Sequence, residues 1–85
     1  MHTVELFEQA VDLAGRLGYE IRHEWLDGGG GGCELMGRKI FFLDLALPPM
    51  DQLDQLLDTL RRDTNALRLP MTGALRETLA VRKIA

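Results

Sequence analysis

Apolar and polar positions follow three successive rhythms along this chain. Leu6, Phe7, Ala10, Val11, Ala14 and Leu17 recur at helical spacing, with Glu8, Gln9, Asp12 and Arg16 on the wet side. Thr3 stands where an N-cap belongs, Glu5 suits the helix dipole, and Gly18 can end the helix in a left-handed conformation. From Tyr19 the period drops to two. Tyr19, Ile21, His23 and Trp25 alternate with Glu20, Arg22 and Glu24, as in a half-buried strand.

After five glycines, Cys33 and Leu35 alternate with Glu34 and Met36, and Gly37-Arg38 predicts a tight turn. A register pairing Met36 with Lys39 sets Leu35 against Ile40 and Cys33 against Phe42. From Ile40 to Leu47 every residue except Asp44 is apolar, the mark of a central strand covered on both sides. That strand places Ile40, Phe42 and Ala46 on one side and Phe41, Leu43, Leu45 and Leu47 on the other.

Pro48-Pro49 then opens a helix, with Pro49 at the first helical position. Met50, Leu53, Leu56, Leu57 and Leu60 form its apolar stripe; Gln52, Gln55, Asp58 and Arg62 lie outside, Asp58 and Arg62 as an i,i+4 pair, and Asn65 is the expected stop. Leu67, Leu69, Leu75, Leu79, Val81 and Ile84 predict a third helix from Pro70 or Thr72 to Arg82. The fold class is α+β over residues 1–85, a single domain: one helix, a three-stranded antiparallel meander, then two helices packed on the sheet.

Composition narrows the function classes. The 85 residues carry a net charge of −3, with 46% apolar and 27% charged residues, the profile of an ordinary globular domain. No apolar run approaches the ~20 residues of a membrane span, and no basic region leads into an apolar stretch as in a secretory signal. A single cysteine forms no internal disulfide, which fits a reducing, cytoplasmic setting. Residues 1–64 hold twelve acids against six bases, whereas the remainder holds Glu77 against Arg68, Arg76, Arg82 and Lys83. Four dispersed cations on an acidic body do not make a nucleic-acid surface, but they could dock on that body or on an acidic partner.

The candidate chemistry centres on the glycines. Gly28, Gly29, Gly30, Gly31 and Gly32 read as a flexible connection, or as backbone that approaches a ligand closely and offers an anion its N–H groups. Dinucleotide and P-loop sites need a helix after the glycines, and here a strand follows. A flexible loop could bring His23 beside Cys33 and Asp44, the nucleophile, base and orienter of a thiol enzyme. Against this, His23 suits a core-edge position and cysteine packs readily as a small hydrophobe. Asp44 needs donors, from backbone N–H groups or Lys39. The two histidines and one cysteine show no metal-ligand spacing, and no cofactor is implied.

The segment containing Gly31, Gly32, Cys33, Gly37 and Lys39, followed by a strand and the helix Leu53 to Leu60, resembles small conserved hypothetical bacterial proteins with a GG-x-C-x-x-x-G-x-K stretch. That resemblance implies no activity. The strand-then-helix order is also similar to the scaffold of ImmA/IrrE-type metallopeptidases, whose helix bears H-E-x-x-H. Here the helix reads DQLDQLLDTL, without histidine, so the likeness carries no zinc site.

The leading expectation is a non-catalytic interaction or regulatory module. It would form a homodimer through its apolar sheet face, or dock there on a protein partner. The alternatives are a small anionic-ligand binder at Gly28–Gly32 and a thiol enzyme using Cys33. If two helices cover one sheet face, the other must meet the third helix or a second copy.

Overall fold

A computed structural model describes residues 3–81. In chain order it contains α1 (Thr3–Arg16), β1 (Tyr19–Glu24), β2 (Gly31–Leu35), β3 (Arg38–Asp44), α2 (Pro49–Arg62) and α3 (Gly73–Ala80). A 3-10 turn at Ala66–Arg68 links the last two helices. The class is α+β, with three helices and one three-stranded sheet.

The sheet corrects the expected meander. Its order is β1-β3-β2, and β1 runs parallel to β3, with Ile21 opposite Phe41 and His23 opposite Leu43. Only β2 is antiparallel to β3. The physical reason lies in which neighbour the apolar side chains of β1 meet. In a meander Tyr19 and Ile21 would lie beside a strand that begins with two bare glycines. Parallel to β3 they share a face with Phe41 and Leu43 and extend the core. Residues 25–37, β2 among them, supply the connection of about a dozen residues that a parallel pair requires.

The β2-β3 hairpin also differs from expectation by two residues. Met36 and Gly37 occupy the turn with φ of +53° and +78°, the pair of positive values that suits the strand twist. Leu35 therefore faces Arg38, and Cys33 faces Ile40 instead of Phe42. A slip of two preserves side-chain parity, so Cys33, Ile40 and Phe42 still lie on one side of the sheet.

All three helices gather on the opposite side. The core joins Ala10, Leu13 and Ala14 of α1, Leu53, Leu56, Leu57 and Leu60 of α2, and Leu75 and Leu79 of α3 to Phe41 and Leu43. Tyr19 and Ile21 pack against it, while Ile40 and Phe42 are not part of it. Leu13, outside the expected stripe, is fully buried. The third helix packs on α1 and α2 and does not cover the second sheet face.

Local signals hold at several helix ends. Gly18 stops α1 at φ +97°, donating its N–H to Gly15 O at 3.0 Å. Pro48 and Pro49 open α2, and Thr72 caps α3 by accepting the Leu75 N–H at 3.1 Å. Other expectations fail. Met50 is exposed, Ala46 lies in an exposed turn beyond β3, and α2 ends at Arg62, before Asn65. Asp58 pairs with Arg61 at 2.9 Å instead of Arg62, because Arg61 turns toward α3 and donates to the carbonyls of Thr78 and Leu79. Arg82, Lys83 and Ile84 lie outside the described residues. No described helix is long and apolar enough to cross a membrane.

Candidate functional site

The glycine loop carries the chain from β1, on one side of β3, to β2 on the other, past the end of the central strand. Asp44 closes that end. Its carboxylate is fully buried and accepts the N–H groups of Leu26 at 3.0 Å and Ala46 at 2.9 Å, together with that of Gly28. Burial alone would push this carboxyl up. The amides of Leu26, Ala46 and Gly28 outweigh that effect and hold it below the usual carboxylate range. Backbone groups are thus its donors; Lys39 is engaged elsewhere.

The loop is closely fitted to the body of the protein. Gly28 and Gly31 have φ of +95° and +131°, where side chains are rarely accommodated. A Cβ at Gly30 would lie 2.7 Å from Phe42 O and 2.9 Å from Gln55 Oε1, and one at Gly32 would lie 2.5 Å from Thr59 Cγ2. The close approach expected of glycine backbone is therefore made to the protein's own sheet and α2. Gly28 N–H is held by Asp44 and Gly29 N–H by Leu26 O at 3.0 Å, so these two amides face inward.

A second polar centre lies at the opposite end of the sheet. Tyr19, Lys39 and Glu34 are cross-strand neighbours on β1, β3 and β2, and Asp63 follows α2 directly. Lys39 Nζ lies 2.9 Å from Asp63 Oδ2 and 5.2 Å from the Tyr19 ring centroid, and donates to Leu17 O at 3.4 Å. The Tyr19 hydroxyl donates to Asp63 at 3.1 Å. Burial raises the Asp63 carboxyl, but Lys39, the Asn65 N–H and Tyr19 together bring it below its ordinary value. The Tyr19 phenol is pushed up to about 12, first by burial, then by its bond to Asp63 and the charges of Asp63 and Glu34. Beside this network opens a cleft of about 380 Å3 lined by Gly32, Cys33, Glu34, Thr59, Arg62 and Asn65, among others.

The catalytic candidates are not brought together. Cys33 is exposed on β2, on the side without helices. His23 is exposed on β1, the other outer strand, and its partner Leu43 places it on the helix side. Asp44 is enclosed by three amides. Trp25 lies beyond the end of β1 and is 75% exposed. Among the described residues no three His, Cys, Asp or Glu side chains gather as a metal would require.

No protein-family model, curated protein or solved structure matches this chain.

The Tyr19–Lys39–Asp63 network escaped the sequence reading because Tyr19 and Lys39 become neighbours only when β1 runs parallel to β3. The available signal was weak: a lysine preceding an apolar central strand, and an acid just after the last turn of the leucine-rich helix. As a hydrogen-bonded ion pair, the network ties β1 and β3 to the end of α2. The cleft rim is polar and open, with Arg62 making no ion pair among the described residues.

Proposed function

We propose that this chain is a non-catalytic interaction module that works as a symmetric assembly of two copies built on its sheet. One observation supports the reading: the helices lie over one side of the sheet only. Among the described residues no helix packs on the side bearing Cys33, Leu35, Ile40 and Phe42. Leu35 on that side is 59% exposed. Three strands with one side free of helices, on which Ile40 is buried but Leu35 exposed, and with two outer edges form a small platform that a two-fold pair of copies can extend.

The anion-binding alternative is weakened by the inward bonds of the Gly28 and Gly29 amides. The thiol-enzyme alternative is weakened by the separation of Cys33 from His23 and by the enclosure of Asp44. Two copies can join face to face or along an edge, and the oligomeric state tests the assembly by either route. Sedimentation equilibrium over a wide concentration range should show a species of twice 9.6 kDa. A single species near 9.6 kDa at the highest concentration would overturn the reading.

A further inference from the structure

The free edge of β2 carries a specific pattern of unpaired backbone groups. A two-residue turn at Met36-Gly37 makes Leu35 and Arg38 the hydrogen-bonded pair that closes the hairpin. Hydrogen-bonded pairs alternate from there, so Cys33 and Gly31 also bond inward to β3. The N–H and C=O groups of Gly32 and Glu34 then point outward. Gly32, Cys33, Glu34 and Leu35 are all exposed. Sheet edges are commonly protected by charged side chains, above all lysine, by proline or by a bulge, and residues 31–35 contain one charge, Glu34, and neither lysine nor proline.

We infer that the edge of β2 pairs antiparallel with β2 of a second copy, with Cys33 opposite its own counterpart and Gly32 opposite Glu34 of the partner. This rests on the two-copy reading above and supplies its route. Outward groups can bond only to outward groups, which leaves three registers. Centring on Glu34 sets two carboxylates against each other and places Gly32 against Met36, a turn residue at φ +53°. Centring on Gly32 sets Glu34 against Gly30, which lies outside the strand. Centring on Cys33 engages every outward group and pairs all five residues of β2.

Charge favours the same register. Directly opposed residues project to the same side of a sheet. Each Glu34 is therefore delivered opposite a residue with no side chain, Gly32, beside the cleft lined by Arg62, Lys39, Asp63 and the facing copy's own Glu34. There Lys39 is already held by Asp63, and Arg62 is the cation within reach. Arg62, which has no ion-pair partner among the described residues of its own chain, gains one from the second copy. On the other side, Cys33 and Leu35 of both copies join Ile40 and Phe42 in one continuous face. The result is a six-stranded sheet, β1-β3-β2-β2-β3-β1, with every helix on one side.

The test combines assembly state with residue-resolved amide exchange on the full chain. At concentrations where sedimentation shows the dimer, the Gly32 and Glu34 amides should exchange at least about tenfold more slowly than in dilute monomer. Glu34→Pro is the matched variant. Its lost N–H is one that the hairpin does not use, so the far-ultraviolet dichroism should persist while dimerisation weakens at least about tenfold. A dimer in which both amides still exchange freely would overturn the edge route and leave self-association standing. A chain that stays monomeric at high concentration would overturn both. A folded Glu34→Pro that dimerises undiminished would also overturn the edge route.

Discussion

The carboxylate of Asp44 accepts the backbone N–H of Leu26 at 3.0 Å, and this bond holds the chain as it passes the end of its own central strand. The same carboxylate holds Gly28 in the loop and Ala46 in the turn before α2. One buried side chain thus fixes the segment from β1 to β2 and the segment from β3 to α2. A carboxylate suits this position because its two oxygens accept several N–H groups and donate none.

Removing that carboxylate should loosen the loop in a graded way. Asp44→Asn keeps one acceptor oxygen but sets an NH2 group against the Gly28 amide. Asp44→Ala leaves all three amides without their acceptor. The melting temperature should fall from wild type to Asn to Ala, and exchange of the Gly28 amide should speed up in both variants. The pH dependence has a definite sign. Folding lowers the Asp44 carboxyl, so its stabilisation is present above the ordinary carboxylate pKa and is lost as pH falls through the lowered value. Acid unfolding of Asp44→Asn should accordingly be shallower than that of the parent.

Contact between Gly32 and α2 predicts a compensating pair. A Cβ at Gly32 would meet Thr59 Cγ2 at 2.5 Å, so Gly32→Ala should destabilise by about 1–3 kcal/mol. Thr59→Ser removes that methyl group, and the double variant should recover a substantial part of the loss. Gly15→Ala is the contrasting case. This glycine lies within α1 with open space about its Cα, and its replacement should stabilise by about 0.5–1 kcal/mol. Chemical denaturation of the four variants measures both effects.

Helices were more legible in the sequence than the sheet, because a helix end is written in nearby residues and a strand's neighbour is not. Gly18, Pro49 and Thr72 act within one turn of where they stand. The alternation of Tyr19 and Ile21 showed which residues share a face, but not that their neighbour would be β3 running parallel. Asp44 was legible as a buried carboxylate needing donors, and backbone N–H groups do supply them. Its link to Leu26 depends on the route of the loop, which periodicity does not carry. The glycines read as flexible because their composition supplies nothing to bury. The contacts that require them at positions 30 and 32 come from Phe42, Gln55 and Thr59, well downstream in the chain.

Arg61 should control the docking of α3. Its guanidinium donates to Thr78 O at 2.9 Å and Leu79 O at 3.3 Å, satisfying carbonyls near the C-terminal end of that short helix. Asp58 holds the guanidinium in place at 2.9 Å. Arg61→Ala should lower stability by about 1–3 kcal/mol, with amides of α3 gaining exchange before those of the sheet. Lysine at this position supplies one charge but not the planar fork, so Arg61→Lys should recover only part of the loss.

The phenol of Tyr19 reports directly on the network that joins β1 and β3 to the end of α2. It is the chain's single tyrosine, so an ultraviolet titration follows this group alone. In the folded protein its midpoint should stand at about 12. Asp63→Asn removes the carboxylate that accepts its hydroxyl and opposes a second negative charge, and the midpoint should fall. It should not reach the free phenol value, because burial acts first among the causes and remains. Glu34→Gln should produce a smaller drop in the same direction. The sign for stability follows: the raised phenol contributes below the ordinary tyrosine pKa of about 10, and that contribution is lost as pH rises toward about 12. Asp63 acts at the other end of the scale, its lowered carboxyl contributing above the ordinary carboxylate range and losing that contribution in acid. Asp63→Asn should therefore flatten the stability profile on both flanks. A variant that leaves the alkaline flank and the Tyr19 midpoint unchanged would show that the 3.1 Å contact between Tyr19 and Asp63 does not persist in solution.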